Sequence, residues 1–178
     1  MDNLETERLV LRRLTAEDAS FVLRLLNDPD WLRFIGDKSV HTLDDARDYL
    51  RKGPIAMYAR NGFGLLLTAL KEGGVPIGMC GLIRREGLAD VDIGFAFLPA
   101  FRGRGYALES ANAVMSHGRS VLGLDRIVAI ASLDNESSAR LLDRLGFRRE
   151  RRIRLRDDDE ELQLFASEAP DGVDAIPT

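Results

Sequence analysis

Leu98-Pro99-Ala100-Phe101-Arg102-Gly103-Arg104-Gly105-Tyr106-Ala107 is the stretch on which the reading of this chain turns. A strand ends at a proline, and a basic, glycine-punctuated turn then opens a long helix. Without a Cβ at Gly103 and Gly105 the backbone can come close to a ligand, and the first N–H groups of the helix, at its positive dipole end, face any anion there. Arg102 and Arg104 add charge on either side of the same mouth. Taken alone, the turn fits a phosphate cradle, a plain helix start, or a short Arg-Gly element touching nucleic acid.

The flanks narrow the choice. Upstream, Val91 to Leu98 alternates strictly, with Val91, Ile93, Phe95 and Phe97 on one face and Asp92, Gly94, Ala96 and Leu98 on the other. The acid and the two small residues on the second face leave room for a ligand to lie against the backbone. Downstream, Arg126 to Ala131 reads as a buried strand, and the following helix starts on Asn135 and stops at Gly146, in accord with cap preferences.

The pattern Arg102-x-x-Gly105-x-Ala107 resembles the acyl-CoA pyrophosphate loop of the GCN5-related N-acetyltransferases (GNAT). Asn135-x-x-Ser138-x-Arg140-x-Leu142-x-x-Leu145-Gly146-Phe147 resembles the family's second cofactor-side motif, in the expected order behind the first. Leu4 to Leu14 and Tyr106-Ala107-Leu108-Glu109-Ser110 look like the RimJ/RimL branch, whose named members acetylate N-terminal amines of ribosomal proteins. The resemblance spans residues 4 to 166. It implies an α/β (α+β) GNAT fold, a mixed central sheet of about six to seven strands flanked by about four helices and splayed between the fourth and fifth strands.

Composition agrees with one domain. A chain of 178 residues with 45% hydrophobic content can bury a sizeable core, so residues 1–166 are read as a single acetyltransferase domain and 167–178 as a loose tail. A net charge of −4 with 30% charged residues does not indicate general nucleic-acid binding, despite Arg102, Arg104 and the cluster from Arg148 to Arg156. That cluster reads as charge paired across a ladder or facing water. One cysteine excludes an internal disulfide, and His41 and His117 lie too far apart for the usual zinc patterns, so no metal is expected. The N-terminus has no apolar signal core and no run approaches membrane-spanning length; the expected location is cytoplasmic, with no membrane partner. A homodimer is compatible with the sequence.

Thr15 reads as the N-cap of a first helix carrying Phe21, Val22, Leu25 and Leu26, which Asn27-Asp28-Pro29 stops. Trp31 to Gly36 then reads as a connection before a second helix, about Leu43 to Lys52, behind Thr42. Gly64 to Leu70 and Pro76 to Ile83 form a hairpin, and Arg148 to Arg156 and Glu161 to Phe165 a second one around the acidic 157–160 turn.

The resemblance implies direct transfer of an acetyl group from acetyl-CoA to an amine acceptor in a ternary complex, the acceptor a protein N-terminus or a small molecule. By that resemblance the main chain of Phe97 and Leu98 binds the pantetheine arm and thioester oxygen, Arg102, Gly103, Arg104, Gly105, Tyr106 and Ala107 hold the diphosphate, and Asn135 lies on the cofactor side. It also makes the 31–36 segment a wall of the acceptor pocket, so Trp31, Phe34 and Ile35 are candidate contacts, with core packing the alternative. Asp92 is a candidate base working through water, or a structural acid paired with an arginine. The tyrosine that many members use to protonate the thiolate is replaced by Leu142. Ser138 is the substitute acid, or else it only serves the helix start with Asn135. Glu109 reads as a helix-dipole or packing residue, and Cys80, between glycines in an apolar strand, as packing rather than a nucleophile. A rival with the same fold is a non-catalytic acyl-CoA sensor.

Overall fold

The computed structural model describes residues 3–169. Eight strands form one sheet in the order β1-β2-β3-β4-β5-β6-β8-β7. They are β1 (Leu4–Glu5), β2 (Leu9–Arg13), β3 (Leu65–Leu70), β4 (Pro76–Ile83), β5 (Asp92–Phe97), β6 (Arg126–Ser132), β7 (Arg148–Ile153) and β8 (Leu162–Glu168). All neighbours are antiparallel except β5 and β6. The count exceeds the expected six to seven partly because of the two-residue β1, which adds itself to the edge through Leu4 and Leu11. Counting β1 moves the expected fourth-to-fifth opening to β5 and β6, the strands on either side of the quoted turn. β8 runs two residues past the expected boundary at 166; the tail beyond 169 lies outside the described residues.

The helices are α1 (Ala19–Leu26), α2 (Pro29–Phe34), α3 (Leu43–Leu50), α4 (Ala56–Asn61), α5 (Tyr106–Ser120) and α6 (Glu136–Arg144). Thr15 and Thr42 both build capping boxes, with Asp18 and Asp45 returning a bond to the cap backbone. Two expectations are corrected. The stretch read as a connection is the helix α2, because Asp28 caps it and Pro29 fits its first position, where no N–H is needed. The helix expected to end near Lys52 continues through a π turn, Arg51–Ile55, into α4; the turn absorbs Pro54.

The sheet separates two cores. On one side α5 and α6 cover Leu9, Leu11, Ile77, Leu82, Ile93 and Phe165. On the other α1 to α3 cover Leu67, Met79 and Ala69, with Trp31 inside that layer. The strict alternation of β5 places Ile93 and Phe97 in the first core and Ala96 against the second. The small-residue face is not vacant: a Cβ at Gly94 would lie 2.8 Å from the Ile83 side chain. The glycine admits a neighbouring strand's side chain, not a ligand.

Candidate active site

β4 and β5 pair along their whole length, from Gly78 with Phe97 to Ile83 with Asp92. β5 and β6 pair only at Asp92 with Val128, where the Val128 N–H donates to the Val91 carbonyl at 3.0 Å. Beyond Asp92 the two strands part, so the β6-facing backbone groups of β5 have no strand partner. Which groups those are follows from the antiparallel alternation. Leu98 N–H donates to the Ile77 carbonyl at 2.9 Å, which fixes the phase: Phe95 and Phe97 turn their N–H groups away from β4 toward the opening. The Leu98 N–H, expected to face the cofactor, is bonded within the sheet, while the Phe95 N–H faces the opening.

The opening leads to the turn. Pro99–Phe101 makes one 3-10 turn, Gly103 and Gly105 adopt φ +72° and +82°, and α5 begins at Tyr106 with Gly105 as its cap. Those left-handed values are accessible to glycine at little cost. No side chain caps α5, so its leading N–H groups have no side-chain acceptor. Arg104 is exposed and makes no ion pair among the described residues; only its carbonyl is engaged, accepting from Arg8 Nη1 at 3.0 Å. These features fit a diphosphate, which needs clustered donors and close backbone approach.

Arg102 is committed elsewhere. Its Nε donates to the Phe97 carbonyl at 2.9 Å, its Nη2 to Asp28 Oδ2 at 2.6 Å, and its Nη1 to Asp30. It ties the turn to the start of α2, whose cap is Asp28. Glu109 has a comparable task at the start of α5. It accepts from Thr6 Oγ1 at 2.6 Å, Arg8 N–H at 2.9 Å and Arg8 Nε at 2.7 Å, while Arg8 lies 4.4 Å from the Tyr106 ring centroid. Burial raises the Glu109 carboxyl, but the Thr6 and Arg8 donors outweigh it and hold the group below the ordinary range. Ala107 accepts from Ser110 Oγ at 3.0 Å in the same helix.

Asp92 opens β5, at the single residue that pairs with β6, and is 1% exposed. Burial pushes its carboxyl up, and Arg85, with Nη2 3.1 Å from Oδ2, pulls in the opposite direction. The arginine partner foreseen for a structural acid is therefore present. Oδ1 is buried without a hydrogen-bond partner among the described residues. Asn135 caps α6 by accepting from Ser138 N–H at 3.1 Å; because the cap uses the Ser138 backbone, the Ser138 hydroxyl is left free of it. Leu142, 1% exposed, is core.

Trp31 is 6% exposed and packs in the second core, its Nε1 without a partner among the described residues. Phe34 is half-buried, and its carbonyl accepts from Ser132 Oγ at 3.0 Å, while Ile35 is exposed. Arg33 and Asp134, 3.0 Å apart, make a second bridge from α2 to the turn after β6. On the β6-β8-β7 face, a cavity of 240 Å³ is lined by Leu88, Asp90, Val128, Arg151, Arg154 and Leu164, among others. A bulge between Arg149 and Arg151 lets Glu150 reach Arg126 at 2.8 Å; Asp90, at 3.0 Å, and Glu168 complete the ring around that arginine. Arg152 pairs with Glu161, just ahead of β8, at 3.3 Å. The Cys80 thiol, fully buried, is pushed up to about 12, which keeps it protonated and unreactive. Among the described residues no three His, Cys, Asp or Glu side chains group to hold a metal ion, and no helix is long and apolar enough to cross a membrane.

A parted parallel strand pair leading into a glycine-turned helix start with no side-chain cap is the arrangement that the resemblance to N-acetyltransferases implies. The chain belongs to the GNAT acetyltransferase family: the family model described as an acetyltransferase (GNAT) domain matches residues 8–148. The Bacillus subtilis protein described as uncharacterized N-acetyltransferase YoaA is 32% identical over 149 residues, 83% of each chain. A crystal structure of an acetyltransferase from Agrobacterium tumefaciens superimposes with a TM-score of 0.80 at 26% identity, covering 94% of this chain and 95% of that one. RimL, the ribosomal L7/L12 alpha-N-protein acetyltransferase solved with coenzyme A, shares the fold at a TM-score of 0.80 and 19% identity, covering 94% of this chain and 98% of that one.

Proposed function

We propose that the protein transfers an acetyl group from acetyl-CoA to a primary amine by direct attack in a ternary complex, with a protein N-terminus as the acceptor. The observation that carries this reading is the opening beyond Asp92, where β5 stops pairing with β6 and leads straight into the α5 turn. Acetyl-CoA would supply a thioester whose carbonyl carbon the amine attacks and whose sulfur departs. The α5 N–H groups, the backbone from Gly103 to Ala107 and the Arg104 guanidinium hold the diphosphate, and Arg102 keeps the loop in shape. Phe95 and Phe97 N–H groups bind the pantetheine amides and the thioester oxygen, a preorganised donor set.

Asp92 takes the proton that the amine gives up. At 1% exposure it does so through a bridging water rather than by touching the acceptor. The Ser138 hydroxyl, not used by the Asn135 cap, returns a proton to the sulfur. Ile35 and Phe34 border the acceptor, and Trp31 supports them from the core.

The test is acetyl-CoA consumption followed by mass spectrometry against free-N-terminus peptides, small amines and aminoglycosides. An acetylated peptide N-terminus supports the proposal. A product only from small amines replaces the acceptor by a metabolite or drug. Tight acetyl-CoA binding without turnover leaves the acyl-CoA sensor.

A further inference from the structure

Asp18 and Asp92 are both buried carboxylates held by an arginine, and they are held differently. Arg12 grips Asp18 fork to fork, Nη1 on Oδ2 at 3.0 Å and Nη2 on Oδ1 at 2.8 Å, and Thr15 N–H adds 2.8 Å to Oδ2. Both oxygens are satisfied, the arrangement expected of a structural pair. At Asp92 both Arg85 donors fall on a single oxygen, Nη2 at 3.1 Å and Nε at 3.3 Å from Oδ2. Oδ1 is buried with no partner among the described residues. A buried acceptor left without a donor is uncommon and calls for an explanation. It lies where β5 leaves β6.

We infer that Arg85 is a positioning residue for Asp92: it clamps Oδ2, fixes the carboxylate plane, and leaves Oδ1 as the oxygen that receives the acceptor's proton. The inference rests on the reading of Asp92 as the base. Oδ1 accepts one proton from the bridging water as that water takes one from the amine nitrogen, so the amine attacks as a neutral group and no proton is lost.

The other groups facing Arg85 come from the helical layer. Lys38, ahead of α3, is lowered by burial and by the like charge of Arg85. Tyr49, on α3, is raised by burial and drawn back by the same charge. Among the described residues Asp92 is the only carboxylate that Arg85 contacts, so the guanidinium is what opposes burial and favours the ionised form there.

The experiment is the pH profile of kcat/KM for the full chain and for R85Q, R85K and D92N, with acetyl-CoA and the acceptor found in the turnover assay. It is run alongside a ¹³C-carboxyl NMR titration of Asp92. R85Q should move both the acid limb and the Asp92 titration to higher pH by about one unit or more. R85K keeps the charge but not the planar fork, so its limb should stay while kcat falls. A limb and a titration unmoved in R85Q overturn the inference. So does an undiminished kcat in R85K, which decides the matter even if R85Q fails to fold. D92N separates the two claims. If it keeps the wild-type limb, Asp92 is not the base, and the NMR titration still reports whether Arg85 controls its carboxyl.

Discussion

Arg102 heads the recognised loop, yet its three nitrogens are occupied by Phe97, Asp28 and Asp30, so Arg102→Ala should be felt first as lost stability. The magnitude follows from exposure. Asp28 is 6% exposed and Arg102 36% at the side chain, between the buried and the surface case. Breaking a fully buried pair costs about 3–5 kcal/mol, a surface pair about 0–1. Asp28 keeps the Asp30 and Trp31 N–H groups as donors after the substitution, which lowers the estimate to about 2 kcal/mol. The Asp30 bridge, on a half-exposed carboxylate, adds little. For a domain of this size about 2 kcal/mol is about 4–8 °C in Tm. Thermal unfolding of wild type, R102A, D28N and the double variant, with CoA titration of each well below Tm, measures it. R102A should cost far less in the D28N background, where the charge partner is already gone. The reasoning is refuted if R102A melts within about 1 °C of wild type and lowers CoA affinity about tenfold in both backgrounds. Arg102 would then be a phosphate ligand.

Gly105→Ala should cost more than Gly103→Ala. Both force a left-handed backbone on alanine, worth about 1–2 kcal/mol, but the new methyl at Gly105 lies 3.3 Å from Arg8 Nη2 while at Gly103 it meets open space. Equal Tm losses would count against the Arg8 contact. Asn135→Ala should lower stability by about 1 kcal/mol through loss of the α6 cap. Ser138→Ala leaves that bond intact and should keep Tm while reducing kcat, and an unchanged kcat would remove Ser138 as the acid. Glu109→Gln carries a pH signature. The native carboxyl lies below its unfolded value, so its contribution is complete above the unfolded value and fades as pH falls through the native one. The Tm gap between wild type and E109Q should be widest near neutrality and close below about pH 4; a gap constant down to pH 3 contradicts the assignment.

What the sequence made legible was whatever short-range chemistry encodes. Thr15, Thr42 and Asn135 were identifiable as caps because a cap bonds residues two or three positions away. The β3–β4 hairpin was readable from two apolar runs joined by a glycine turn, and β5 from period-two alternation. Helix α2 was missed because an Asp-Pro pair stops one helix and starts another with the same residues. That the Leu98 N–H is bonded to Ile77 while that of Phe95 faces the opening was not readable, for a different reason. Alternation of side chains tells which face a residue occupies, but not which neighbouring strand its N–H addresses. That phase is set by the register with β4, from Gly78 with Phe97 onward, and only pairing fixes register. Arg102 shows the limit most clearly. Its partners Asp28 and Asp30 lie more than seventy residues away, so a motif that names an arginine beside phosphate-binding glycines cannot tell a ligand from a clamp. The loop's basic character is therefore divided. Arg104 makes no ion pair among the described residues, and Arg102 binds the loop to α2. Under the proposed function, an acceptor that shifts α2 would also shift the turn proposed to grip the diphosphate, coupling the two substrates through the Arg102 ion pairs.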